Sequence, residues 1–229
     1  RNIVLFRRFY PRFHHGNVEL RTAYLDNQID EIVTDIRQRD CDTVAKKKIR
    51  LVCMGAGYDT RGVKMLERGT VDHVVELDLP DVVDAKERLF ARLMKRRSWL
   101  SKITMPKLVP SDFNDVPNVK RRLETVLRPD DHGIEGGVQS SAQWHTIFLF
   151  EGVMIYLNKN VPGSLLNITS AVLKENNLDG SLCFADLLDN VPGGDFVSGV
   201  NELRRNGWSV KDWSPKPGRT RHMGSAALL

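Results

Sequence analysis

One short segment limits the possible folds of this chain more than any other. A mostly apolar run, Ile49–Met54, leads directly into Gly-Ala-Gly at residues 55–57. Such a run is typical of a strand that is buried on both faces of a parallel sheet. A glycine turn after the strand brings ligands close to bare backbone and to the positive N-terminus of the next helix. The segment therefore predicts the first strand–turn–helix unit of an α/β fold.

Strand-like and helix-like segments alternate along the rest of the chain, which is typical of a mostly parallel sheet with helices on both faces. Asn17 is the expected N-cap of the first helix, and the Gly-, Asp- and Ser-rich stretch 128–143 is expected to be a loop. Helical spacing of apolar residues predicts helices over about 18–37, 80–97, 162–175 and 196–205, with shorter ones around Val63 and Val119. Short apolar runs predict strands at 49–54, 74–77, 107–109, 146–150 and 181–187.

The composition fits a single folded domain. With 229 residues, of which 41% are apolar and 28% charged, the chain is long enough to bury a core without disulfides or a structural metal. We predict one domain over 1–229, with a basic N-terminal segment and helix at 1–40 and the core sheet at 49–213. No apolar run reaches the roughly 20 residues that a membrane span needs, so no membrane association is expected.

Charge and cysteine content bear on partners and compartment. The net charge of +5 favours acidic partners, which include RNA, anionic cofactors and carboxylate substrates. Cys41, Cys53 and Cys183 lie far apart without CxxC spacing, which argues against a disulfide framework or a zinc site and favours a reducing intracellular compartment. The stretch Arg1–His15 is basic and contains no acidic residue. We therefore expect a cytoplasmic or an organellar location, mitochondrial or plastid.

The glycine turn itself narrows the class of ligand. Gly55 and Gly57 occupy the first two glycine positions of a dinucleotide-binding turn, but Thr60 stands where the third glycine would be. This substitution disfavours a nicotinamide-dependent oxidoreductase and favours a smaller nucleoside ligand. The alternative is an ordinary turn without a ligand.

An acidic residue at the end of the second strand, about 20 residues after the glycine turn, is expected to accept hydrogen bonds from ribose hydroxyls. Glu76 and Asp78 both have this spacing. Strand alternation and the position just before Pro80 favour Asp78, because it points outward at the carboxyl edge of the sheet. The alternative is a solvated aspartate in a turn.

Further candidates follow the third and fourth predicted strands. Asp112 could accept a hydrogen bond from an adenine amino group beside the flat apolar wall of Phe113, or it could be the N-cap of the helix near Val116. Glu151 is expected to face the same ligand, because ligands of open α/β sheets bind at the carboxyl ends of strands. Tyr156 could line this cleft, or it could be a core tyrosine.

Six segments together resemble a known family, and they are Glu19–Arg21, Met54–Thr60, Glu76–Pro80, Ser111–Phe113, Phe150–Tyr156 and Asn206–Trp208. In their order and spacing they resemble the leucine carboxyl methyltransferase superfamily, which also contains O-methyltransferases of small molecules such as polyketides. The resemblance implies a Rossmann-like class I methyltransferase fold and S-adenosylmethionine as the methyl donor.

The resemblance also implies roles for individual residues at the donor site. Arg21 would pair with a carboxylate of the donor or the substrate and, with Tyr156, would act in catalysis. The other implied donor contacts are Gly55 and Gly57 to the methionine part, Asp78 to the ribose, Asp112 and Phe113 to the adenine, and Glu151 to the amino group.

The expected chemistry is consistent with the residue types that the sequence offers. A carboxyl group with a pKa near 4 is already an anion at neutral pH, so methyl transfer to it needs no general base. Catalysis would then consist mostly of orienting the acceptor oxygen, for which the guanidinium fork of Arg21 is suited. No HExxH motif or catalytic cysteine pair is visible, and no metal site is predicted.

Two points leave the function open. The stretch 189–205 is shorter than the corresponding insert of the phosphatase-specific members, so both a protein C-terminus and a small molecule are possible acceptors. The basic clusters at 46–48, 95–97 and 120–122 also allow a different hypothesis, in which an inactive methyltransferase fold is a structural subunit of an RNA-rich assembly such as an organellar ribosome. More commonly, such clusters are solvated helix faces.

Overall fold

The computed structural model describes residues 12–42, 46–96, 104–128, 143–188, 195–215 and 222–229. Within these ranges, the α-helices are α1 Arg12–Arg39, α2 Arg61–Glu67, α3 Pro80–Arg96, α4 Val116–Leu127, α5 Val161–Glu175 and α6 Phe196–Arg205. The strands are β1 Lys48–Met54, β2 His73–Asp78, β3 Lys107–Pro110, β4 Trp144–Glu151, β5 Asp179–Asp186, β6 Trp208–Pro215 and β7 His222–Leu228. Short 3₁₀ helices cover Asp40–Asp42 and Met154–Tyr156.

The strands form one sheet in the order β3-β2-β1-β4-β5-β7-β6. The pairings from β3 through β5 are parallel, whereas β7 pairs antiparallel with both β5 and β6. Parallel strands place all their carboxyl ends at one edge of the sheet, and the order reverses between β1 and β4. Ligands of open α/β sheets bind at such a reversal.

Helices cover both faces of the sheet, as the alternation of elements predicted. On one face, Leu25 and Ile29 of α1 pack with Ile49 and Leu51 of β1. On the other face, Leu165 and Leu166 of α5 belong to a cluster that includes Val52 and Phe148. Because successive side chains of a strand point to opposite faces, β1 contributes to both clusters and is buried throughout after its first residue.

Helix α1 runs across the sheet from the carboxyl ends of the parallel strands towards their amino ends. Near its start, Arg21 contacts Glu151 at the carboxyl end of β4. Just after its end, Asp40 accepts a hydrogen bond of 2.7 Å from the backbone N–H of Lys47, which precedes β1. The first turns of α1 therefore lie beside the edge where the strand reversal opens.

The structure also corrects some expectations. Helix α1 begins at Arg12, so Asn17 lies inside it and is not its N-cap. The sheet extends beyond the predicted bounds 49–213, because β7 was not foreseen and runs to Leu228. Most of the predicted loop 128–143 lies outside the described residues. None of the helices in the described ranges combines the length and apolar content that a membrane crossing requires.

Candidate functional site

The glycine turn after β1 is held tightly between two neighbouring segments. Gly55 donates a hydrogen bond of 2.8 Å to the carbonyl of Leu77. Its φ is +79°, and a Cβ added there would lie 2.6 Å from Cγ2 of Val153. Gly57 also has a positive φ, of +48°, but a Cβ added there would meet no heavy atom within 4 Å. Gly55 is therefore required for packing, whereas Gly57 faces open space.

That open space belongs to a cavity of about 330 Å³ at the carboxyl edge of the sheet. The cavity lies between the glycine turn, the first turns of α1 and the end of β4. Four of the predicted donor-site residues line it: Arg21, Gly55, Gly57 and Glu151. The structure thus brings together residues that are up to 130 positions apart in the sequence.

Glu151 is the centre of a network of ion pairs in this cavity. Its Oε1 accepts hydrogen bonds from Nε of Arg21 at 2.7 Å and from Oγ1 of Thr22 at 3.2 Å. Its Oε2 accepts one from Nη2 of Arg61 at 2.7 Å. Burial acts to raise the pKa of Glu151, but the two arginines outweigh it and hold that pKa below its usual range. Glu151 is therefore a carboxylate at neutral pH.

Arg61 is a site residue that the sequence analysis missed. It is the first residue of α2 and only 5% exposed. Its guanidinium also contacts Asp26 at 2.6 Å and Asp59 at 3.7 Å. A cation at a helix N-terminus is unfavourable, because it opposes the helix dipole. The position of Arg61 in the first turn of a predicted helix therefore indicates that a negative partner lies elsewhere in the chain.

The two acids of β2 have different environments. Asp78 Oδ2 accepts a hydrogen bond of 2.6 Å from the backbone N–H of Gly57, so it lies directly beside the glycine turn. Glu76 is buried and forms an ion pair of 2.6 Å with the equally buried Lys86 of α3. Asp78 is therefore the acid of β2 that lies beside the glycine turn, and its role as a ligand contact stays a prediction.

The predicted adenine contacts lie one strand further along the same edge. Backbone pairing between Ser111 and Asp78 places this segment beside the end of β2. Asp112 is exposed and accepts a hydrogen bond of 2.9 Å from the N–H of Asn114. The N-cap of α4 is Asp115, so the N-cap alternative for Asp112 is wrong. Phe113 is packed in the core and only 5% exposed, which leaves little ring surface to act as a flat wall for a ligand.

Tyr156 lies on the 3₁₀ helix that follows β4. It is 79% exposed, so the core-tyrosine alternative is wrong. The turn that carries it is fixed by Asp186, a fully buried residue that ends β5. Asp186 Oδ2 accepts hydrogen bonds from the backbone N–H groups of Val153 at 2.6 Å and Met154 at 2.9 Å. Asp186 thus anchors this turn, a role that was not among the predicted ones.

Comparison with known proteins decides the family. The sequence model of the leucine carboxyl methyltransferase family matches residues 10–169. This chain belongs to that family. Its enzyme class is accordingly that of the S-adenosylmethionine-dependent methyltransferases, as the sequence resemblance predicted. No curated protein matches the chain in sequence.

Solved structures show the same fold as this leucine carboxyl methyltransferase family member. Magnesium protoporphyrin IX methyltransferase (ChlM) from Synechocystis PCC 6803 with bound SAM is 10% identical and has a TM-score of 0.50, with 90% of this chain and 81% of that chain covered. The same enzyme with bound SAH is 11% identical, with a TM-score of 0.50 and coverage of 91% and 85%. At this identity the likeness shows the fold alone, and it confirms the predicted class I methyltransferase architecture.

The ion pairs of this family member's cavity join two guanidinium groups, of Arg21 and Arg61, to three carboxyl groups, of Asp26, Asp59 and Glu151. Burial raises the pKa of Asp26 above its usual range, against the opposing effect of Arg61. In the described part of the chain, no group of three or more His, Cys, Asp or Glu residues has the arrangement of a metal site.

Proposed function

We propose that this chain transfers a methyl group from S-adenosylmethionine to a carboxylate or hydroxyl oxygen of a protein C-terminus or small molecule. One observation carries the proposal: an ionised Glu151, held between Arg21 and Arg61, faces an open cavity beside the glycine turn. When bound, the donor supplies an electrophilic methyl group on its sulfonium. The chain's own residues bind and orient the two reactants.

Glu151 retains capacity to bind the ammonium of the donor. A carboxylate has about four lone-pair positions, and the described residues occupy three of those on Glu151. The remaining position, on Oε2, is available to an N–H of a ligand in the cavity. Gly57 allows close approach of that ligand because its backbone carries no side chain, and Asp78 lies next in line to accept from ribose hydroxyls.

Arg21 is placed to orient a carboxylate. Only its Nε is engaged, with Glu151, and its terminal nitrogens have no hydrogen bond to any described residue. Its guanidinium packs against Gly152, where an added Cβ would lie 3.3 Å from Nη1. These free N–H groups could bind the carboxylate of the donor or of the acceptor, and they would hold it without accepting a proton.

Three exposed side chains with apolar surface follow strands at the carboxyl edge of the sheet. Tyr58 comes directly after Gly57, and Ile155 and Tyr156 come soon after Glu151. Exposed apolar surface near a cavity commonly marks a region that contacts a ligand. An acceptor with an apolar body and an oxygen anion suits this edge, with Tyr156 as a contact residue.

Titration calorimetry tests the donor half of the proposal. We expect the wild type to bind S-adenosylmethionine and Glu151→Gln to bind at least tenfold more weakly, since the ammonium loses a charged partner. Glu87→Gln, at an exposed position of α3, is the matched control and should bind like the wild type. A wild type that fails to bind at millimolar donor contradicts the proposal. Transfer of labelled methyl to a panel of apolar carboxylic acids and phenols then tests turnover.

The alternative role as an RNA-bound structural subunit has weaker support. Lys47 pairs with Asp179, and Lys120 pairs with Glu175 and Glu124, so part of the basic charge is neutralised locally. Of the cluster at 95–97, Arg97 lies outside the described residues. Co-sedimentation with ribosomal particles that is lost on charge reversal at 120–122 would favour this role over catalysis.

A further inference from the structure

We infer that Arg61 is a positioning residue of the donor site, which acts on the donor only through the carboxylate of Glu151. The inference rests on the proposed function, because it concerns how the same cavity recognises the ammonium group of the donor. The guanidinium of Arg61 borders the cavity, but its Nε and Nη1 are buried and its Nη2 is bonded to Glu151, so a ligand would meet Glu151 first.

The guanidinium of Arg61 lies among three protein carboxylates, and in the described part of the chain its one side-chain hydrogen bond joins Nη2 to Glu151. Its Nε lies 2.6 Å from Oδ1 of Asp26, and its Nη2 lies 2.7 Å from Oε2 of Glu151. Its Nη1 lies 3.7 Å from Oδ2 of Asp59. Each nitrogen therefore faces a different carboxylate. Since the side chain is almost completely buried, a bound donor would contact Glu151 rather than Arg61.

These three contacts join three separate elements around the cavity. Asp26 belongs to α1, Asp59 to the turn after β1, and Glu151 to the end of β4. Asp59 is itself fixed, since its Oδ1 accepts a hydrogen bond of 2.9 Å from the backbone N–H of Arg61. A planar guanidinium fork holds such geometry better than a flexible ammonium does. Arg61 thus fixes the orientation of the Glu151 carboxylate from the side opposite Arg21.

Arg61 also keeps Glu151 ionised. The charged groups that interact with Glu151 are Arg21 and Asp26 of α1 and Arg61 of α2. Burial raises the pKa of Glu151, and the charge of Arg61 is the strongest influence that lowers it. Without Arg61, the charge of Asp26 would add to the effect of burial. The pKa of Glu151 would rise, and a protonated Glu151 would be a poor acceptor for an ammonium.

The test compares donor affinity at pH 5.5 and pH 7.5 by calorimetry in the wild type and in Arg61→Gln, since the α-amino group of the donor is mostly charged at both pH values. We expect wild-type affinity to change less than twofold between the two pH values. Arg61→Gln should bind at least tenfold more weakly at pH 5.5 and recover most of that loss at pH 7.5, because Glu151 ionises again. A structural defect alone would not be repaired by raising the pH.

Two further variants keep the test decisive. Asp26→Asn/Arg61→Gln preserves the net charge of the buried network and guards against simple unfolding of Arg61→Gln. Arg61→Lys keeps the charge without the fork and should show a smaller, pH-independent loss. In a Glu151→Gln background, Arg61→Gln should add less than a twofold further loss, because its effect passes through Glu151.

Several outcomes would overturn the inference while leaving the proposed function intact. One is wild-type donor affinity at both pH values in Arg61→Gln and in Asp26→Asn/Arg61→Gln. Another is a loss of affinity in folded Arg61→Gln that is the same at both pH values. A third is that the losses of affinity caused by Arg61→Gln and Glu151→Gln add fully in the double variant. If the wild type itself fails to bind the donor, the proposed function fails first.

Discussion

The carboxylate of Asp78 accepts a hydrogen bond of 2.6 Å from the backbone N–H of Gly57. This bond joins the end of β2 to the turn after β1, although the two residues are 21 positions apart. The other carboxylate oxygen of Asp78 accepts from the N–H of Leu79 at 2.7 Å. Each oxygen keeps one lone pair, so Asp78 can support the turn and bind ribose hydroxyls at the same time.

Asp78→Asn should weaken donor binding more than it weakens the fold. The asparagine oxygen can still accept from Gly57, but hydroxyl donors lose a charged acceptor. Hydrogen bonds to charged groups contribute about 1.5–3 kcal/mol, so we expect roughly a tenfold or greater rise in Kd by calorimetry. Asp84→Asn, at an exposed position of α3, is the control. An Asp78→Asn protein with wild-type affinity would remove Asp78 from the donor site.

The two glycines of the turn should respond differently to alanine. Gly55→Ala combines a positive φ with a Cβ only 2.6 Å from Val153, so we expect it to lose about 2–4 kcal/mol of unfolding free energy in urea. Gly57→Ala has only the backbone strain, about 1 kcal/mol, because no heavy atom lies within 4 Å of its added Cβ. Its methyl group would instead occupy the cavity and reduce donor affinity. Equal destabilisation by the two changes would contradict this distinction.

His145 should make the stability of the protein depend on pH. It lies in β4 with its Nε2 2.9 Å from Oγ of Ser181, and burial lowers its pKa from 6.5 to about 4. The folded state thus resists protonation that the unfolded chain accepts, so stability is full above pH 6.5 and falls as the pH drops towards 4. From pH 7 to pH 5 the expected loss is about 2 kcal/mol.

Urea unfolding at a series of pH values measures this effect. His145→Gln can still pair with Ser181 but does not titrate, so the fall in stability between pH 7 and pH 5 should largely disappear. Carboxylates such as Glu151 and Asp179, whose pKa values lie below the usual range, lose their contribution only at lower pH. An undiminished slope in His145→Gln would assign the pH dependence to another group.

The buried pair of Glu76 and Lys86 should affect stability but not donor binding. Lys86→Met leaves Glu76 buried without its partner, and we expect a loss of about 3–5 kcal/mol. The double variant Glu76→Met/Lys86→Met replaces both charges by apolar groups of similar size and should unfold within about 1 kcal/mol of the wild type. Chemical unfolding measures the stability of both variants. Calorimetry on the double variant measures donor affinity, which we expect to equal that of the wild type because Glu76 is buried away from the donor site.

The parts of the fold that the sequence predicts are those with a local signal. Strands β1 to β5 contain apolar runs, and the glycine turn has its own residue pattern. β7 lacks such a signal because its sequence, His-Met-Gly-Ser-Ala-Ala-Leu, is dominated by small residues. Its place depends on close packing instead: an added Cβ at Gly224 would lie 2.7 Å from the ring of Phe184, and Ser225 donates a hydrogen bond of 2.6 Å to Gln28 of α1.

The same distinction applies to the candidate site. Arg21, Gly55, Gly57 and Glu151 meet at one cavity as the motifs predicted, because the glycines and Glu151 lie at the ends of recognisable strands and Arg21 lies on the helix that passes them. The position of Arg61 at the start of α2 indicates a charge partner, but no local pattern identifies the carboxylates, which lie 35 and 90 positions away. Side-chain direction is similarly hidden. Phe113 is apolar and follows β3, but only the packed structure shows that it points into the core.

The place of β7 between β5 and β6 has a consequence for folding during synthesis. β7 follows both β5 and β6 in the sequence, yet it pairs with one of them on each side. Until residues 222–228 have left the ribosome, the unpaired edges of β5 and β6 remain open to other chains. The nascent protein can assemble its parallel half early, but its sheet becomes continuous only after β7 has emerged.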